Sequence, residues 1–244
     1  MNSLPVDKSP ERIRRMFGKV APRYDMMNRL LSLGIDRWWR RVAARQLLHD
    51  QTPCGDVLDV CCGTGDLSLA LEKWQQQLKT QRTIFGIDFS LEMIDIALRK
   101  AKGNVHFQFS VGDATELPFD DDRFAVVTVA FGLRNVSDTA CGLAEMVRVC
   151  RPGGTVAVLE FSMPTLPILR HCYRFYFCTL LPKLGEWFVK NQDQAYLYLS
   201  ESVRQFDRPE QLANRLRELG IRDVQTQSMT FGIATLVWGI KMDS

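Results

Sequence analysis

Apolar and polar positions along the middle of the chain alternate between two periods. Short, almost wholly apolar runs near 56–60, 83–88, 105–110, 124–130 and 155–161 have the length and residue types of buried strands. Between them, near 65–78, 90–102 and 138–150, apolar residues recur at three- and four-residue steps, the period of an amphipathic helix. In the last of these, Leu143, Met146, Val147 and Cys150 make one stripe, and Pro152-Gly153-Gly154 is placed to end it. Ser90 stands where it can cap the second helix. Strand and helix in alternation predict an α/β fold with a doubly wound, mostly parallel sheet. Ligands of such sheets sit beyond the carboxyl ends of the strands.

The flanks follow a different rhythm. Residues 11–50 are basic and helical, with Phe17, Val20, Tyr24, Met27 and Leu31 on one face. Pro22 is expected to limit continuity there, because it lacks an N–H and crowds the preceding turn. The segment reads as a pair of helices packing on the main sheet. Residues 162–208 form an aromatic, proline-punctuated insertion. A helix from 209 to 219 closes at Gly220, and runs near 224–231 and 234–241 meet at Gly232 as an antiparallel pair. The expectation is one domain over 1–244, divided into an N-terminal helical segment (11–50), a core (51–161), an insertion (162–208) and a C-terminal helix and strands (209–244).

The candidate chemistry lies where the first strand runs into the first helix, in Asp59-Val60-Cys61-Cys62-Gly63-Thr64-Gly65-Asp66-Leu67. Two glycines one residue apart allow unusual backbone angles and the close approach of a ligand to the helix N-terminus. The dinucleotide fingerprint requires a third glycine, and this chain has Ser68 in its place. Asp88 ends the second strand, where an acid can accept both hydroxyls of a ribose, and Asp113 follows the third, where a carboxylate can accept from an adenine amino group. Each aspartate alone would serve equally as a turn or cap residue. Three consecutive strand ends carrying Gly-x-Gly, Asp and Asp resemble the class I S-adenosylmethionine-dependent methyltransferases, with Ser68 and Asp113 both arguing against a nicotinamide-dependent oxidoreductase.

Composition changes this picture little. With 244 residues, 46% hydrophobic and 24% charged, the chain is ordinary globular material, and a net charge of +3 gives no reason to expect nucleic acid. Seven cysteines without C-x-x-C spacing point to reduced packing residues, with no metal site and no disulfide framework. A polar start and no apolar run of membrane-spanning length make a soluble, cytoplasmic protein the expectation. The residues leave the oligomeric state open.

A more specific resemblance rests on longer motifs. Tyr24-Asp25-x-Met27-Asn28-x-x-Leu31-Ser32-x-Gly34, ending in Trp39, is similar to the N-terminal signature of the quinone-biosynthesis C-methyltransferases, which act in the menaquinone and ubiquinone pathways. So are Arg148-Val149-x-x-Pro152-Gly153-Gly154 through Leu159-Glu160-Phe161-Ser162, Leu117-Pro118-Phe119, Phe131-Gly132-Leu133-Arg134-Asn135 and Tyr198-Leu199-x-Glu201-Ser202-Val203. The resemblance spans 11–241. It departs at Asp36 and Val237, where the family carries histidines, and at Cys61-Cys62.

The resemblance implies S-adenosyl-L-methionine as cofactor and a prenylated hydroquinone as substrate, a demethylmenaquinol first and a benzoquinol second. A non-catalytic cofactor-binding subunit of a quinone-synthesis complex would read the same. It further implies that Gly63, Thr64 and Gly65 line the methionine end, Asp88 the ribose, and Asp113 with Ala114 the adenine. Ring methylation uses a carbon ortho to a hydroxyl, made electron-rich as that hydroxyl loses its proton. Arg134, a permanent cation after the fourth strand, is the expected stabiliser of the phenolate. Tyr24 and Asp25 are the second candidates, on a segment that could fold over the cofactor. His49, His106 and His171 match no motif. The stretch 164–190 mixes Phe175, Phe177 and Trp187 with Arg170, Arg174 and Lys183, and is expected to lid the ring pocket and touch the membrane surface.

Overall fold

The computed structural model describes residues 9–164, 198, 202–203 and 205–243. Seven strands, β1 (Val57–Val60), β2 (Ile84–Asp88), β3 (Phe107–Val111), β4 (Phe124–Ala130), β5 (Cys150–Phe161), β6 (Ile221–Met229) and β7 (Ala234–Lys241), form one sheet in the order β3-β2-β1-β4-β5-β7-β6. The first five run parallel, and β7 inserts antiparallel between β5 and β6. The final antiparallel pair is as expected. Its insertion beside β5, with Val158 opposite Val237, is a tertiary pairing that no local pattern encodes.

Side chains leave the sheet with period two and build two cores. Val127, Val129, Val156 and Val158 join Leu143 and Met146 of α5 (Thr139–Val149) and Leu212 and Leu216 of α6 (Pro209–Glu218; the label counts described helices only). Val57, Val126, Ala157 and Leu159 join Trp39, Ala43 and Leu47 of α2 (Asp36–Leu47) and Leu71 of α3 (Asp66–Gln77). Burying each valine, leucine or methionine among them contributes roughly 1.5–3 kcal/mol. Val237, where the family carries a histidine, is 1% exposed in the first core and takes the part of an apolar packing residue.

The expectations for the N-terminal helices and for the end of α5 need correction. Pro22 does not interrupt its helix: α1 runs without a break from Pro10–Leu31. Proline in a helix interior costs about 3 kcal/mol, yet Val20 and Ala21 before the proline and Tyr24 after it pack in one cluster with Met93 of α4 (Leu91–Ala101), which holds the helix on both sides. The crossing is close, since a Cβ at Gly18 would stand 3.1 Å from the Glu92 carboxylate. Only α2 packs on the sheet; α1 lies on α4. The second correction concerns Pro152-Gly153-Gly154, which do not separate helix from strand. α5 ends at Val149 and β5 begins at once at Cys150, pairing with Phe124, while a register shift between Phe124 and Val126 absorbs the Pro-Gly-Gly. The insertion expected to meet the membrane lies, Pro164 aside, outside the described residues up to Tyr198.

Candidate active site

A cleft of about 1020 Å³, measured out to its open mouth, lies at the carboxyl ends of the parallel strands under α1. Its floor is the turn after β1. Cys61, Gly63 and Gly65 all take positive φ there (53°, 55° and 78°), which folds the backbone tightly between strand and helix. Gly65 caps α3 in the left-handed region, and a Cβ on it would crowd Phe109 at 3.2 Å. Cys61 adopts the same region with a side chain, at a cost of about 1–2 kcal/mol. Burial, then the nearby Asp88 and Asp59 charges, push its thiol pKa up, so it lines the cleft as a neutral group.

The three expected strand-end groups converge. Asp88 accepts the Gly63 N–H at 2.8 Å on one carboxylate oxygen and the Ser90 N–H at 2.9 Å on the other, which joins the ends of β1 and β2. Burial raises its pKa, and the Ser90 and Gly63 N–H groups work against that rise. Asp113 lines the cleft beside Ala114, its Oδ1 accepting from the Thr115 N–H and hydroxyl, each at 2.8 Å. Gly63 and Thr64 are on the lining, and Gly65 stands behind it.

From above, α1 supplies Ile13, Arg14, Phe17 and Tyr24. The Arg14 guanidinium lies 4.2 Å from the Phe89 ring centre, over the edge where Asp88 ends β2. Asp25 is turned away from the lining and ties α1 down. It accepts from the Thr64 hydroxyl at 2.6 Å and pairs with Lys100 at 2.5 Å, and Lys100 also reaches Thr64 at 2.8 Å and Asp66 at 2.6 Å. Both oxygens of Asp25 are occupied by these partners. Burial raises the pKa of Tyr24, its hydrogen bond to Asn28 lowers it, and so do the charges of Arg134 and Arg40.

Arg134 is not on the lining. Its side chain is 5% exposed, with Nη1 bonded to Glu160 at 2.7 Å and to the Phe131 carbonyl at 2.6 Å. It therefore fixes the turn 131–135, from which Phe131, Gly132 and Asn135 do line the cleft. Asn135 in turn accepts from the Tyr198 hydroxyl at 3.0 Å, so two distant signature motifs meet at one side chain.

Two lining residues escape the sequence reading. Asp59, in the middle of β1, is 1% exposed, accepts the Ser68 hydroxyl at 2.6 Å through Oδ2, and has Oδ1 without a partner among the described residues. Burial pushes its pKa up to about 7. The signal was present, since an acid within the run Val57-Leu58-x-Val60 has no reason to be there as packing. Arg40 belongs to the buried face of α2 and pairs with Asp36 at 2.6 Å. Asp36, which replaces a family histidine, also accepts from Ser32 at 2.7 Å and does not line the cleft.

The ubiE/COQ5 methyltransferase family model matches residues 6–241. The chain is 44% identical over 234 residues to the ubiquinone/menaquinone biosynthesis C-methyltransferase UbiE of Geobacter sp. (strain M21), covering 95% of this chain and 97% of that one. It is 43% identical over 230 residues to the demethylmenaquinone methyltransferase of Deinococcus radiodurans, covering 94% and 92%. Among solved structures, the complex of the Haloferax volcanii Trm112 methyltransferase activator with the putative methyltransferase aligns at a TM-score of 0.64 and 18% identity, over 93% of this chain and 98% of that one, a likeness of fold alone. The match spans nearly the whole chain, which belongs to the ubiE/COQ5 methyltransferase family.

Proposed function

We propose that the protein transfers a methyl group from S-adenosyl-L-methionine to a ring carbon of a prenylated hydroquinone, with demethylmenaquinol as the substrate. The observation that carries the cofactor half is Asp59 Oδ1, a buried carboxylate oxygen on the cleft with no partner among the described residues. An ammonium is the ligand group such an oxygen wants. The rest of the donor set fits too. Each oxygen of Asp88 receives one backbone N–H and keeps a lone pair for a ribose hydroxyl. Ala114 and the Asp113 turn offer an apolar edge and an acceptor for a purine.

When bound, the cofactor supplies an electrophilic methyl carbon on a sulfonium. The chain has to orient and dehydrate the acceptor beside it. Phe17 and Met93 exclude water from the α1 side, and Phe131 does so from the β4 side. Burial would raise the pKa of a quinol hydroxyl beside Tyr24, as it does that of Tyr24 itself, and the Arg134 and Arg40 charges would work against that rise while Asp88 adds to it. Arg134 acts in this reading through that charge and through the turn it holds, while Tyr24 and the Asn135 amide are the neutral groups able to touch the ring oxygen.

The naphthoquinol reading is supported by relatives named demethylmenaquinone methyltransferase. Benzoquinol methylation is the second reading, because other relatives carry ubiquinone as well as menaquinone in their names. Purified protein incubated with methyl-labelled S-adenosylmethionine and reduced demethylquinones of both rings separates the two. Label is expected in the naphthoquinol product. Label in the benzoquinol alone would reverse the choice, and label in neither would remove the enzymatic reading.

A further inference from the structure

Beside the cleft lies a second concavity, between α2, α3 and the end of α1. Its wall is basic: Arg29, Arg37, Arg41, Arg45 and Lys73 line it. Arg37, Arg41 and Arg45 succeed one another at four-residue steps on the exposed face of α2, opposite the buried stripe of Trp39, Ala43 and Leu47. Like charges at that spacing repel. Among the described residues Arg29, Arg37, Arg41 and Lys73 make no ion pair. The acid in the wall, Asp66, is held by Lys100.

Next to this ridge stands an apolar set that the described fold leaves uncovered. Leu33 is 81% exposed, Trp38 48% and Ile35 36%. Leu33 holds a positive φ of 52° and Gly34 one of 77°, so the turn between α1 and α2 thrusts the leucine outward. The turn is fastened from below by Ser32, Asp36 and Arg40 through buried or half-buried bonds of 2.6–2.7 Å. A rigid turn presenting Leu and Trp beside unneutralised arginines matches one environment, an anionic bilayer surface, where apolar tips enter the interface and guanidinium groups meet phosphates.

We propose that the turn 32–35 and the exposed face of α2 dock the protein on an anionic membrane, with Leu33, Ile35 and Trp38 in the interface and Arg37, Arg41 and Arg45 on the headgroups. Arg40 and Asp66 line both this concavity and the cleft, so the docked face adjoins the active site. A substrate whose tail stays in lipid would then reach the ring site without leaving the surface. The inference goes beyond the reaction itself, because it stands or falls on binding alone, whichever ring is methylated. It rests on α2 and the turn before it, and not on the 164–190 stretch, of which Pro164 alone is among the described residues.

Flotation with phosphatidylcholine vesicles, with and without about 30% phosphatidylglycerol to crowd the surface with anionic headgroups, tests it. The full chain is expected to float with the anionic vesicles and much less with the neutral ones. Leu33→Ser combined with Trp38→Ser should cut the floated fraction at least several-fold. Arg37→Gln and Arg41→Gln, made singly, should weaken it by about fivefold each. All three variants should keep the parent's melting temperature, S-adenosylmethionine affinity and turnover of a short-chain, water-soluble quinol, which shows that they are folded and active. Equal flotation of parent and variants would overturn the proposal and move the contact elsewhere on the chain. A parent that stays at the bottom of the gradient, or whose α2 face proves to hold a second copy in sedimentation, would overturn it as well.

Discussion

Asp59→Asn is the substitution that bears most directly on how the cleft is built. In the ligand-free protein burial pushes the Asp59 carboxyl up to about 7, against an ordinary 3.8. Between those two pH values the folded chain holds a proton that the unfolded chain has lost, so stability falls as pH rises through that window and levels off above about pH 7. Three pH units correspond to about 4 kcal/mol, an upper bound for the cost of keeping this acid ionised in the empty cleft. An asparagine side chain retains the acceptor for Ser68 and carries no charge. The stability difference, Asp59→Asn variant minus parent, should therefore widen from about pH 4 to about pH 7 and stay constant above about pH 8. Urea unfolding of the ligand-free protein at a series of pH values measures it. The same change should weaken S-adenosylmethionine binding by about 10- to 150-fold, the ~1.5–3 kcal/mol of a hydrogen bond to a charged group. Calorimetry of the parent near pH 6 in buffers of different ionisation enthalpy should show proton release on binding, and the variant none. A pH-independent stability difference together with unchanged affinity would show that Asp59 is a structural acid and that the cofactor's ammonium lies elsewhere.

Three further outcomes are expected. Asp88→Ala removes a ribose acceptor and also unties Gly63 from β2, so S-adenosylmethionine affinity should fall by roughly 5- to 150-fold in calorimetry, ~1–3 kcal/mol; parent affinity would move the ribose site. Asp25→Ala frees α1 from Thr64 and Lys100, and its amides should exchange hydrogen about tenfold faster, with a raised KM for the cofactor and little change in kcat; unchanged exchange would show that α1 is held by its apolar face alone. Arg134→Met should cost about 3–5 kcal/mol by leaving Glu160 buried and unpaired, and Arg134→Lys should recover most of that stability while kcat stays depressed. Parent kinetics in the lysine variant would remove the guanidinium from the mechanism.

Much of this protein was legible from the sequence. The apolar runs and the stripes between them located β1, β2, β4 and α3 to α5 to within a residue or two, because period and burial are local properties of such segments. Gly63, Gly65, Asp88 and Asp113 announced a cleft at the strand ends, since each occupies a position that packing alone would fill differently. What the sequence could not express were relations between distant segments. Pro22 is tolerated because Val20 and Ala21 find Met93 across the interface, and nothing near Pro22 encodes that. Arg134, legible only as a cation after a strand, becomes a buried partner of Glu160 because β4 and β5 are neighbours in the sheet. Asp25, read as a candidate for chemistry, is consumed by Thr64 and Lys100, which lie 39 and 75 positions further along. The hydrophobic pattern decides which residues are withdrawn from water, but whether a withdrawn polar group serves the ligand or the scaffold depends on which partners the fold brings within about 3 Å of it.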